Sequence, residues 1–173
     1  MAILKIARMG HPVLLREAEA VPDPTAPDIR RLIGDMIETM LDAGGLGLAA
    51  PQVHVPLRLF VCRSGPGAFT LVNPEIEPLG EERESAWEGC LSIPGLRGCV
   101  PRARRILWRG LDAEGRPVQG EAEGLLARVM QHETDHLDGI LYPMRMEDLS
   151  LFGFTEELAR AAAEAPAQQE AAR

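Results

Sequence analysis

At 173 residues and 46% hydrophobic content, the chain is long enough to bury one sizeable core and too short for two comfortable domains. Its formal net charge of −8 at pH 7 opposes general affinity for nucleic-acid backbones or anionic membranes, which need clustered positive charge, so small molecules or peptides are the expected ligands. Three cysteines, an odd and sparse set, do not make a disulfide framework and fit a reducing cytoplasm.

The opening stretch Met1-Ala2-Ile3-Leu4-Lys5-Ile6-Ala7-Arg8 has no long apolar run followed by a small-residue cleavage site. Nowhere do about eighteen uncharged apolar residues run together, so neither export nor membrane spanning is expected. Residues 3–15 read as an extended lead-in, and Pro22-Asp23-Pro24-Thr25-Ala26-Pro27 as a turn. Thr25 followed by Asp28 predicts a helix start. Ile29, Leu32, Ile33, Met36, Ile37, Met40 and Leu41 then recur at alternating steps of three and one. This amphipathic helix must pack on a partner, and Gly44-Gly45 stops it.

Directly after it comes Gly45-Leu46-Gly47-Leu48-Ala49-Ala50-Pro51-Gln52. Small residues at this density let another backbone approach and an extended peptide pair with the edge, although a plain helix-to-strand connection reads the same way. A phosphate loop is excluded, because no Lys-Ser/Thr follows. Arg58-Leu59-Phe60-Val61-Cys62, Phe69-Thr70-Leu71-Val72 and Arg105-Ile106-Leu107-Trp108 are short β-prone runs set apart by Gly and Pro. Helices bracket these strands instead of alternating with them, so the expected fold class is α+β, a single domain of mostly antiparallel sheets packed around a central helix. From Thr155 the chain reads as a short helix fading into Ala-Pro-Ala-Gln-Gln, with its last residues disordered.

The central helix carries Gln131-His132-Glu133-Thr134-Asp135-His136-Leu137-Asp138-Gly139, preceded by the apolar Leu125, Leu126, Val129 and Met130. Positions four apart share a helix face, so His132 and His136 can reach one metal ion with Glu133 beside it as a base. A catalytic ion usually takes a further protein ligand and leaves one position for water. Downstream, Asp138, Glu147 and Asp148 are available carboxylates; upstream, Cys90 lies in Glu88-Gly89-Cys90-Leu91-Ser92, and a thiolate is the stronger ligand for a borderline-soft metal. Cys62 and Cys99 read as small buried hydrophobes.

Taken in order, residues 45–52, Glu88 to Ser92 and Gln131 to His136 resemble the three signature motifs of peptide deformylase, and the resemblance runs from about residue 11 to residue 141. It implies a catalytic domain over 1–155 with 156–173 as a short tail, and removal of the N-formyl group from the N-terminal methionine of newly made polypeptides. Cys90, His132 and His136 would hold one divalent metal, Fe2+ by preference, with Zn2+, Ni2+ or Co2+ able to substitute. Glu133 would be the base, and the Gln52 side chain and Leu91 N–H would hold the oxyanion. Gly45, Leu46, Gly47, Ala86, Glu88, Gly89, Leu125 and Val129 would bind the substrate.

Leu125, Val129, His132 and His136 fall on one helical stripe, where an unbranched side chain such as methionine can rest, though without the resemblance ordinary core packing is the better account of the first two. The partners implied are formylmethionyl nascent peptides and, transiently, the ribosome; no nucleic acid or membrane is expected. Some features depart from the family pattern. Ala86-Trp87 replaces an aliphatic-acidic pair, and the tail lacks the long lysine-rich helix of many bacterial members. Arg128, one turn before His132, could face the site mouth and meet a peptide carbonyl or carboxylate, but the expectation is a solvated helix residue. Two other readings stay open: a metal-dependent peptidase of other specificity, and a closed or inactive metal site.

Overall fold

The structure, a computed structural model, describes residues 2–65 and 67–164. The first apolar stripe forms α1 (Pro27–Asp42), which buries Ile29, Ile33, Met36 and Met40. These pack against Leu48, Val53, Leu59, Val61 and Val72. The helix starts at Pro27 rather than at Thr25, because proline in the first turn brings its dihedral pre-set and loses no bond there. Thr25 turns away to Asp23, giving it both its N–H and its hydroxyl. At the other end Gly44 takes φ +67°, and the Gly45 N–H returns to the Met40 carbonyl, closing the helix as the Gly-Gly pair predicts.

Five strands, β1 (Gly47–Ala49), β2 (Leu59–Ser64), β3 (Gly67–Pro78), β6 (Arg105–Leu111) and β7 (Pro117–Glu123), form an antiparallel sheet in the order β1-β2-β3-β6-β7. A smaller antiparallel sheet holds β4 (Arg83–Cys90), β5 (Ile93–Ala103) and β8 (Phe152–Phe154), in the order β4-β5-β8. The fold is therefore α+β with antiparallel sheets. The β-prone runs lie in β2, β3 and β6. The other strands carry no such run: β4 reads Arg-Glu-Ser-Ala-Trp-Glu-Gly-Cys and is mostly exposed, while β5 is interrupted by Pro94, Gly95, Gly98 and Pro101.

The helix α2 (Gly124–Leu137) touches β1, β2, β3, β6 and β7 of the larger sheet and β5 of the smaller one. From Ala127 onward it is buried on most of its circumference, polar residues included, which only a helix with partners on several sides can be. Gln131 fastens it to β5: its side-chain amide accepts the Ala103 N–H at 3.1 Å and donates to the Ala103 carbonyl at 2.9 Å. The lead-in is not extended throughout: it turns at Met9–Gly10, where the His11 N–H bonds the Arg8 carbonyl, and ends in a 3-10 turn at Pro12–Leu15. On the way its backbone N–H groups at Ala7 and Met9 bond the carbonyls of Gln52, in the 3-10 turn Ala50–Val53, and of Ser92, in the turn between β4 and β5. The tail forms α3 (Thr155–Glu164) with no buried residue; the expected disorder falls on residues 165–173, outside those described. Among the described residues no helix is long and apolar enough to cross a membrane.

Candidate metal centre

The two histidines of α2 meet Cys90, at the end of β4, where a register shift between Gly89 and Cys90 re-aims the strand. One ligand atom from each of Cys90, His132 and His136 lies within 4.8 Å of the others. The Cys90 sulfur is 3.2 Å from His136 Nε2, and the two imidazoles sit nearly perpendicular with centroids 5.0 Å apart. The downstream carboxylates are elsewhere. Asp138 pairs with Arg58, and Asp148 caps a surface turn through the Ser150 N–H. One thiolate and two imidazoles suit zinc, iron, nickel or cobalt, and the donors converge closely enough for one such ion.

Glu88 fixes the orientation of His132. Its Oε2 accepts the His132 Nδ1–H at 2.9 Å, which leaves Nε2 as the free ligand atom. Its carboxylate also takes Arg102 Nε at 2.9 Å, Arg102 Nη2 at 3.0 Å and Arg128 Nη1 at 2.8 Å. Burial alone would raise the Glu88 carboxyl, yet hydrogen bonds from His132 and Arg102 and the Arg102 charge bring it down to about 2. Burial alone would also lower His132, but the Cys90 sulfur and Glu88 raise it to about 10. Burial and the charge on His132 push His136 well below the ordinary histidine range. Arg102 continues to Asp135, which Arg145 grips at 2.7 Å, and Tyr142 stacks on His132 at a centroid distance of 6.0 Å.

Glu133 is fully buried beside the ligands, and burial pushes its carboxyl up to about 7. Its Oε2 has no partner among the described residues. A Cβ at Gly47 would overlap this carboxylate, which is the local reason for glycine there. Gln52 sits in a 3-10 turn, Ala50–Val53. Its Oε1 accepts the Ala49 N–H at 2.8 Å, so its amide nitrogen faces Ser92 Oγ at 3.1 Å and the Cys90 sulfur at 3.4 Å.

A cavity of about 520 Å³ opens over these groups. Gly45, Leu46, Gly47, Gln52, Glu88, Gly89, Cys90, Leu91, Leu125, Val129, His132 and Glu133 line it, and His136 is buried beneath. Ala86 is not among the lining residues and Trp87 is. Arg128 also lines the cavity: it is 7% exposed rather than solvated, and it bonds the carbonyls of Glu84 and of Val100, the register partner of Ala86. Glu88 lines the cavity too, but its oxygens are committed to His132 and the two arginines. Sequence reasoning missed Arg102, Arg145 and Ser92; Arg102 meets Asp135 and Ser92 meets Gln52 across more than thirty residues, while Arg145 meets Asp135 across ten. Gln131 and Asp135, inside the motif itself, were the available signal.

A family model described as "Polypeptide deformylase" matches residues 3–151. Peptide deformylase 1 of Bordetella pertussis is 51% identical over 163 residues, covering 88% of this chain and 93% of that protein. The crystal structure of peptide deformylase from Thermotoga maritima is 40% identical with a TM-score of 0.81, covering 84% of this chain and 99% of that one. A Met-Ala-Ser-bound class I type b enzyme from Acinetobacter baumannii is 35% identical with a TM-score of 0.78, covering 83% and 98%.

Proposed function

The chain belongs to the peptide deformylase family, and on that premise we infer how its residues divide the work of the reaction. The enzyme hydrolyses the N-formyl group from the N-terminal methionine of newly made polypeptides, releasing formate. The observation that carries the assignment of roles is the meeting of Cys90, His132 and His136 beside the buried Glu133 at the base of one cavity. A divalent cation bound by those three donors would acidify a water and polarise the formyl carbonyl. Glu133 takes the proton of the attacking water and later returns it to the departing amine; burial, which raises its carboxyl, favours the uptake.

Charge develops on the formyl oxygen during attack, where the Gln52 amide and the Leu91 N–H are the proposed donors. The orientation of Gln52 is set in advance by Ala49, so little reorganisation is needed at the moment of reaction. Gly45, Gly47 and Gly89 offer backbone to the peptide, β1 being an edge strand of the larger sheet. Leu46, Leu125 and Val129 form the apolar wall for the methionine side chain. Glu88 is committed to His132 and the two arginines, and Trp87 rather than Ala86 lines the cavity. The catalytic unit is 1–155, and the partner is the formylated nascent chain, met transiently at the ribosome.

Gln52→Ala should lower formate release by ~10²–10³ in turnover while metal content stays unchanged, as for loss of one oxyanion donor. Steady-state assay on formyl-Met-Ala-Ser checks this, and a variant within twofold of wild type removes Gln52 from the mechanism. The metal we propose is iron(II), whose thiolate ligand is prone to oxidation in air. Anaerobic purification with elemental analysis, followed by the same assay and a parallel assay for internal peptide-bond cleavage, tests metal and reaction together. Full activity after long aerobic handling with zinc as the only metal would refute iron, and cleavage of internal bonds without formate release would refute the reaction.

A further inference from the structure

Arg128 lines the cavity together with Leu125, Val129 and His132, and only 7% of it is exposed. A guanidinium carries five N–H donors. Arg128 commits Nη1 to Glu88 Oε1 at 2.8 Å and to the Val100 carbonyl at 2.7 Å, and Nη2 to the Glu84 carbonyl at 2.5 Å. These three anchors, one of them an ion pair, prevent the side chain from swinging out to solvent. Its Nε–H and one Nη2–H have no acceptor among the described residues, and Nε is not sealed inside the protein. A buried, fixed guanidinium with a spare donor beside a cavity favours a ligand that brings an acceptor to it.

This position is one turn before His132, on the stretch of α2 assigned above to the first side chain of the substrate. Leu46, Leu125 and Val129 supply the apolar wall for an unbranched stem, and Arg128 the polar part. We propose that Arg128 is a specificity-determining residue that selects a first side chain with a hydrogen-bond acceptor near its end, so that formyl peptides beginning with methionine sulfoxide are substrates alongside those beginning with methionine. The inference rests on the placing of the methionine side chain given above. The sulfoxide oxygen is a strong acceptor, a thioether sulfur a weak one, and the methylene of norleucine none. The chemistry is unchanged: water cleaves the formyl C–N bond, formate and the free amine leave, and sulfur keeps its oxidation state.

The test compares kcat/KM of metal-loaded full-length protein on formyl-Met-Ala-Ser, its methionine-sulfoxide counterpart and its norleucine counterpart, in wild type and Arg128→Met. In wild type the sulfoxide peptide should exceed the norleucine peptide about tenfold or more, the worth of one hydrogen bond to a charged donor. In Arg128→Met the order should invert by a similar factor, because the S=O group then enters an apolar pocket without a partner. A merely structural role for Arg128 would lower all three substrates together and leave the ratio alone, which overturns the proposal. Calorimetric binding of the product peptides Met-Ala-Ser, its sulfoxide and its norleucine form should follow the same order without reference to turnover. If the variant does not fold, a wild-type sulfoxide-to-norleucine ratio below one refutes the idea by itself. Absence of formate from formyl-Met-Ala-Ser would instead refute the underlying reaction, and the inference with it.

Discussion

Glu133→Gln is expected to keep the fold and the metal while formate release falls by ~10²–10⁴, the range that a positioned acid-base group supplies. Glutamine preserves the shape that fills the space left by Gly47, so the cavity should not collapse. It also removes a carboxylate that is buried with one oxygen unpartnered, so the variant should melt no lower than the wild type. Those two readouts separate the base from a packing residue. A variant with wild-type turnover would transfer the proton-moving role to another group, and one that melts well below wild type would make Glu133 structural first.

Cys90→Ala is expected to lose metal and activity together. The sulfur is one of three convergent donors, and the remaining imidazole pair offers an ion too few ligands to compete with water. Loss of a residue that merely orients a ligand typically costs ~10–100-fold in metal affinity, so loss of the ligand itself should exceed ~100-fold. Elemental analysis after dialysis against a weak chelator, read beside formate release, is the decisive pair of measurements. Full occupancy in the alanine variant would mean that the third ligand comes from elsewhere. Occupancy with no turnover in a Cys90→Ser protein would show that sulfur matters for reactivity beyond binding.

The parts of this fold that were legible in the sequence are those whose signal is local. The periodic stripe from Ile29 to Leu41, the glycine stop and the His-Glu-x-x-His spacing each depend on neighbours within a few turns of helix. What stayed hidden is non-local. The strands β4 and β5 are joined by pairings such as Glu84 with Arg102 and Trp87 with Cys99, and neither strand shows apolar-polar alternation in its sequence, although burial alternates from Gly98 to Arg102. Arg128 was misjudged for the same reason. On helical spacing alone a charged residue one turn before a ligand reads as solvated. Only the approach of Glu88, forty positions away in sequence, makes it an interior cation. The direction of Gln52 is likewise legible only once the Ala49 N–H and the Ser92 hydroxyl are placed around it.

The oxygens of Glu88 are filled by two arginines and a histidine, and Arg102 passes the linkage to Asp135 and Arg145. The His132 imidazole, a proposed metal ligand, is therefore tied to β5 and to the segment following α2 through one connected set of bonds. Amide hydrogen exchange along α2, the β4-β5 hairpin and the turn at Tyr142–Arg145 should accordingly proceed as one cooperative unit, and cation release should require opening of that unit rather than a swing of one side chain. A cation held there would then leave slowly, at a rate set by the scaffold, and chelator-driven loss should follow the exchange of that unit.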